Sequence, residues 1–187
     1  YFVQSFAVRG QTLYFADRGS GVTVADGTVY SLSIDAVNGT PQELSTGYFW
    51  PGGMIVAQDQ HLFVGDLQDA VGAAGGALYK FSTGATRQTA AAPVHSPHHL
   101  AVDNSQVAWA SAAAGGGVAI KTISNIGSPV TLASDQGVLA GIAIGGAYVF
   151  WSDHYNDSVT RRQKDAGDSA TTVLTVQKPS ALAAKDD

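Results

Sequence analysis

Cysteine is absent from the 187 residues, methionine and glutamate occur once each (Met54, Glu43), and charged residues make up only 13%. Without cysteine there is no disulfide framework, no thiolate zinc site and no thiol nucleophile. A single glutamate excludes a Glu/Glu acid–base pair of the glycosidase kind. The chain has 10 Lys+Arg against 15 Asp+Glu, a net charge of -5. That balance argues against a clustered basic face for nucleic acid. The longest weakly polar stretch, Gly137 to Trp151, is too short and too interrupted by glycine to span a bilayer, so no membrane insertion is expected. No Gly-x-Ser-x-Gly elbow, phosphate-cradling Gly-x-x-x-x-Gly-Lys or His-Glu-x-x-His occurs. There is no Met at position 1 and no signal-like segment, so the expectation is a mature chain or an excised piece. What is abundant is apolar: 45% of the residues, enough for a packed core and too much for disorder.

That apolar content is organised as a repeat. One block recurs four times, as Leu13-Tyr14-Phe15-Ala16-Asp17, Leu62-Phe63-Val64-Gly65-Asp66, Val107-Ala108-Trp109-Ala110-Ser111 and Val149-Phe150-Trp151-Ser152-Asp153. The last residues of these copies are 49, 45 and 42 positions apart. A second block precedes each copy: Ser5-Phe6-Ala7-Val8, Gly53-Met54-Ile55-Val56, His99-Leu100-Ala101-Val102 and Gly141-Ile142-Ala143-Ile144. Ala181-Leu182-Ala183-Ala184 is a fifth copy of it, and Pro51, Pro97 and Pro179 each stand three residues before the large apolar residue of their own copy. Each unit divides into four short runs rich in β-branched and aromatic residues, separated by turn residues such as Arg9-Gly10-Gln11, Asn38-Gly39 and Gly145-Gly146. No run is long enough for an amphipathic helix.

Four strands repeated every 40 to 50 residues predict an all-β fold, a β-propeller. The blocks Leu-Tyr-Phe-Ala-Asp and Val-Phe-Trp-Ser-Asp resemble degenerate copies of the Tyr-Trp-Thr-Asp propeller repeat. The unit from Ile142 to Val173 is similar to repeats of bacterial cell-surface and secreted propellers. Residues 1–187 are read as one propeller domain or part-propeller with repeats at 3–50, 51–96, 97–138 and 139–178, and 179–187 as the first strand of a further blade. That makes four blades of four antiparallel strands plus one extra inner strand. The resemblance implies rings of more than four blades, which leaves two readings: a small four-bladed ring with a spare strand, or, ranked first, part of a larger ring completed by a further segment or by self-association with a second copy.

In such a fold the second-listed block's strand lines a central channel, and the loop entering it opens on the same face as the loop after the aromatic block. Those loops bring together Asp17, Arg18, Tyr48, Trp50, Asp66, His98, His99, Asp153 and His154 as candidate ligand-binding residues. His99 stands where the other copies have Ser, Gly or Ala, so an imidazole intrudes into channel space. His95, His99 and His154 form a candidate N-ligand set for a divalent metal ion. The spacing is not a zinc motif, however, and adjacent His98 and His99 are expected on opposite sides of an extended strand. The plainer reading, hydrogen-bonded loop histidines with no cofactor, ranks first. Asp17, Asp66 and Asp153 recur at one repeat position. Carboxylates there can meet calcium or sugar hydroxyls, or cap their own loops, and a residue demanded by several blades fits the cap better. Tyr48, Phe49 and Trp50 offer an aromatic surface beside Arg18 for a sugar ring or a partner side chain. Trp109 and Trp151 read as core.

The function these features indicate is a non-catalytic binding or interaction scaffold, secreted, periplasmic or at the cell surface, presenting one loop face to a protein or glycan. The alternative is a metal-dependent lyase or hydrolase with a His-bound divalent ion in the channel.

Overall fold

A computed structural model of the chain describes residues 2–20, 24–36, 38–59, 61–67, 75–82, 87–94, 96–111, 116–123 and 128–184. It contains four antiparallel sheets of four strands each, every sheet built from consecutive strands. The first holds β1 (Val3–Arg9), β2 (Thr12–Asp17), β3 (Gly27–Ser33) and β4 (Gln42–Tyr48), and the second β5 (Pro51–Val56), β6 (His61–Asp66), β7 (Gly76–Ser82) and β8 (Gln88–Val94). The third holds β9 (Pro97–Val102), β10 (Gln106–Ser111), β11 (Val118–Thr122) and β12 (Val130–Ala133). The fourth holds β13 (Leu139–Gly145), β14 (Tyr148–Asp153), β15 (Ser158–Gln163) and β16 (Thr171–Thr175). Two compact units contain them: Tyr1–Val94 carries the first two sheets and His95–Asp187 the last two. No helix occurs among the described residues.

The second strands explain why the aromatic block reads as an unbroken apolar run. Along β2, Leu13 and Phe15 face one side and Tyr14 and Ala16 the other, and Tyr14, Phe15 and Ala16 are all buried, so residues on both sides of the strand must be apolar. In the first unit Tyr14, Ala16, Val29 and Tyr48 of the first sheet form one core with Leu62 and Val64 of the second. In the second unit Ala101, Ala108, Ala110, Val118, Ile120 and Leu132 of the third sheet pack against Leu139, Ile142, Ile144, Val149 and Trp151 of the fourth. Trp109 and Trp151 are buried, as their place in the repeat predicts. Neighbouring sheets meet along their first strands, β1 against β5 and β9 against β13. Those strands turn into the second ones tightly, and Gly10 and Gly146 take the positive φ of 54° that the turns require.

Every first strand carries a one-residue bulge at the same repeat position. Val3 and Ser5 pair with Asp17 and Ala16, Pro51 and Gly53 with Asp66 and Gly65, Pro97 and His99 with Ser111 and Ala110, and Leu139 and Gly141 with Asp153 and Ser152. Gln4, Gly52, His98 and Ala140 are the extra residues. A bulge twists the strand and re-aims the side chains around it. Pro51 and Pro97, three residues before the large apolar residue of their copies, mark the start of this irregularity in two of the four strands.

An ion pair ties the two sheets of the second unit together: Lys164 Nζ lies 2.5 Å from Asp103 Oδ2. Burial opposes ionisation of Asp103, but Lys164 and the amides of Ser105 and Gln106 outweigh it and hold its carboxyl below the usual range. With the folded value depressed, the pair's contribution is complete above the ordinary carboxylate range and fades as pH falls through the lowered value. Lys164→Met is expected to cost about 1 kcal/mol at pH 7, the site being part-exposed. Urea midpoints of the two proteins should converge at acid pH.

Residues 181–184 form no ladder with a described strand, yet they run beside β13. A methyl group at Gly141 would lie 2.9 Å from Leu182 N, and one at Gly145 would lie 3.0 Å from Ala184 Cβ.

Candidate functional site

The recurring aspartates take their places from the bulges. Each ends a second strand, opposite the residue that opens the first strand, and accepts amides of the chain leading into it. Asp66 accepts Phe49 N (3.0 Å) and Trp50 N (2.7 Å). Asp17 Oδ1 accepts Phe2 N (2.9 Å) and Gly19 N (3.2 Å). Asp153 accepts Gly137 N, Tyr155 N and Asn156 N at 3.0–3.2 Å and Asn156 Nδ2 at 2.7 Å. Asp66 and Asp153 are buried, with 1% and 2% exposure. Asp66 and Asp153 are enclosed by the amides they accept, while Asp17 is half-buried.

Over the Asp17 and Asp66 caps, the first unit assembles a surface site. Asp17 and the Arg18 amide fix both backbone groups of Phe2, since Arg18 N donates to Phe2 O (3.1 Å). Trp50 is fixed likewise: its N–H goes to Asp66 and its carbonyl accepts Leu67 N (3.0 Å). Between these two anchored residues lies the Arg18 guanidinium, 5.5 Å from the Phe2 ring centre and 5.1 Å from that of Trp50. Gln4, the bulge residue, accepts the Trp50 indole N–H through Oε1 at 3.4 Å. Among the described residues no carboxylate lies within ion-pair distance of Arg18, and its Nε is buried without a hydrogen-bond partner.

Arg87 in the same unit shows what a structural arginine looks like. It lies 4.7 and 4.3 Å from the ring centres of Tyr48 and Tyr79, and its Nη1 donates to the carbonyls of Thr46 and Gly47 at 3.1 Å. Arg87 is both stacked and hydrogen-bonded; among the described residues the Arg18 guanidinium is stacked only. Tyr48 is a correction to the expected loop face. β4 runs on to Tyr48, and the ring is 0% exposed in the core, so it cannot meet a ligand. Burial pushes its phenol up, against a hydrogen bond to Ser45 and the charge of Arg87.

In the second unit His98 and His99 lie on β9 and not on a loop, and they do not point apart. With His98 as the extra residue of the bulge, their ring centres are 4.7 Å apart in an edge-to-face contact. Burial pulls both imidazoles down, His99 to about 4 with the neighbouring His98 adding to the effect and a hydrogen bond to the Leu139 backbone opposing it. Both rings are therefore neutral at pH 7, and His98 Nδ1 is buried with no partner. His154 donates its backbone N–H to Val138 O (3.1 Å), and its ring meets Tyr155 edge to face. His95 lies outside the described residues. Among those described, no three His, Cys, Asp or Glu side chains stand close enough to hold a metal ion. Among the described residues the His98–His99 cluster consists of two neutral imidazoles.

Sequence reasoning named Arg18 and Trp50 but missed Phe2 and Gln4. Their signal was positional: Phe2 precedes the first strand as Trp50 precedes the second, and Gln4 occupies the bulge.

No protein-family model matches the chain, and no curated protein matches it. Among solved structures the chain is similar to one of a nidogen/laminin complex, with a TM-score of 0.73 and 15% identity over 97% of this chain and 67% of that one. It is also similar to XC5397 from Xanthomonas campestris, described as a gluconolactonase, with a TM-score of 0.66 and 16% identity over 96% of this chain and 64% of that one. The chain thus spans about two thirds of the length of either. Both neighbours are β-propellers, and with the four antiparallel four-stranded sheets they show the fold of this chain to be a β-propeller.

Proposed function

We propose that this chain is a non-catalytic propeller scaffold of the Tyr-Trp-Thr-Asp repeat type, exported or displayed at the cell surface. On this reading it binds a protein partner through Trp50, Arg18, Phe2 and Gln4. The observation that carries the reading is the Arg18 guanidinium, held between two aromatic rings with no carboxylate at ion-pair distance among the described residues. A cation fixed in this way is ready to meet an acidic or carbonyl group without first giving up side-chain freedom. Arg and Trp are also the residues that most often dominate protein interfaces. Support for a protein over a glycan comes from the neighbour solved as a nidogen/laminin complex. A metal-dependent hydrolase or lyase would need a third ligand beside His98 and His99, which the described residues do not supply.

Immobilised extracellular glycoproteins and a glycan array, probed with the purified chain, test this reading. Binding to a protein is expected, weakened at least about 30-fold by Trp50→Ala and by Arg18→Ala, the scale of an interface hot spot. Tyr155→Ala, in the other unit, should leave it unchanged. Equal binding by wild type and both variants, glycan binding alone, or metal-dependent lactone hydrolysis would each overturn it.

A further inference from the structure

We propose that His98 and His99 form a two-nitrogen site for monovalent copper. The repeat does not ask for imidazoles at these positions. Where β9 has His98-His99, the other first strands have Gln4-Ser5, Gly52-Gly53 and Ala140-Gly141. Glycine and alanine serve the bulge in two of those strands, so the paired rings are an addition peculiar to β9 and not a requirement of the fold.

On a regular strand adjacent side chains point to opposite faces, and no single ion could join them. The bulge removes that obstacle. His98 is the inserted residue, with Pro97 and His99 taking up the pairing on either side of it. The two ring centres are then 4.7 Å apart at an interplanar angle of 68°. Two imidazoles bound to one ion need ring centres about 5–6 Å apart, depending on the angle at the metal. A small rotation of either ring covers the difference.

Each ring has a nitrogen to give. His99 donates a ring N–H to the backbone carbonyl of Leu139, the first residue of β13. That bond fixes the tautomer and leaves the lone pair on the other nitrogen, which is how a metal-binding histidine is commonly held. His98 Nδ1 is buried with no hydrogen-bond partner among the described residues. A buried polar atom left in that state calls for an explanation, and a ligand supplies one.

Two donors also select the metal. Zinc and calcium take four or more ligands. No group of three His, Cys, Asp or Glu side chains is found among the described residues. Monovalent copper, with its filled d shell, is satisfied by two nitrogens in line, and imidazole suits copper. Both rings are half-buried, which favours a singly charged ion over a doubly charged one because less charge is withdrawn from water.

Cuprous ion alone, titrated into the chain without oxygen against a chromogenic copper(I) chelator, tests the site. One ion per chain is expected. His98→Gln and His99→Gln should each weaken binding by more than about 100-fold, beyond what loss of an outer partner of a ligand costs. Glutamine keeps a donor for the Leu139 carbonyl, so His99→Gln separates the ligand from the hydrogen bond. His61→Gln, in the other unit, should bind as the wild type does. X-ray absorption of the copper-loaded wild type should show two nitrogen ligands, a readout that needs no variant to fold. Zinc should compete only at about 1,000-fold excess or more, for want of ligands. No uptake of copper, uptake unaffected by either β9 variant, or uptake lost in His61→Gln would each overturn the proposal. So would three or more nitrogen ligands, or zinc bound in preference to copper. None of these readouts depends on Arg18 or Trp50.

Discussion

Replacing Asp153 with alanine is expected to cost the second unit about 3–5 kcal/mol, the scale of breaking a buried charged hydrogen-bond network. The carboxylate is 2% exposed, and its two oxygens accept Gly137 N, Tyr155 N, Asn156 N and Asn156 Nδ2. Alanine strands all four donors where the chain enters β13 and where it leaves β14. Each buried amide left unpaired costs about 1–3 kcal/mol, less whatever water recovers. Asp153→Asn should fall between, since one oxygen remains while the new NH2 group faces donors. Urea unfolding followed by the fluorescence of Trp109 and Trp151 reads the effect where it arises. In the first unit, Asp66→Ala removes the acceptor of the Phe49 and Trp50 amides and should cost at least about 2–3 kcal/mol. A change below about 0.5 kcal/mol for Asp153→Ala would be the size of an ordinary surface substitution. It would mean that the carboxylate is not needed to close the loop, and would restore it as a ligand residue.

The same carboxylates show which parts of this fold can be seen in the sequence. Their recurrence is visible because a second strand buried on both faces must be apolar throughout, which leaves the terminal Asp conspicuous. The bulge opposite is invisible, since Gln4, Gly52, His98 and Ala140 share no chemistry and their common position appears only in the pairing register. Proline spacing was its one trace. This is why His98 and His99 were expected to diverge and instead touch: simple alternation fails at the residue the bulge inserts.

Tyr48 and Arg18 illustrate the two ways a site residue is misjudged. The repeat places Tyr48 on the loop entering the second unit's channel strand only by its distance from the next block, whereas β4 carries on through Gly47 at a φ of 85° and delivers the ring to the core. The stacking of Arg18, on the loop after β2, depends on Phe2 and Trp50, which precede the first strands of two sheets and stand 48 residues apart in sequence. No local pattern encodes such a contact; it follows from the stacking of one repeat on the next.

His99 gives the second unit an acid-sensitive stability that distinguishes a buried imidazole from a solvated one. Burial, with His98 beside it, lowers its value from 6.5 to about 4. The unfolded chain therefore takes up this proton before the folded one does. Stability from this group is complete above about pH 6.5 and is lost as pH falls toward 4, below which both states carry the proton. The shift sets a ceiling near 3 kcal/mol, and a ring that is only partly buried should deliver about 2. His98 is lowered in the same direction and steepens the loss. Asp103 acts in a separate, more acid window, because its carboxyl is held below the ordinary range. Denaturation midpoints at pH 7, 5.5 and 4.5 should fall for the wild type and fall less than half as far for His99→Gln. An imidazole resonance for His99 titrating near 6.5 would contradict the buried geometry. An acid slope unchanged by the substitution would assign the sensitivity to His98 instead, whose unpartnered Nδ1 would then be the more strained of the two nitrogens to protonate.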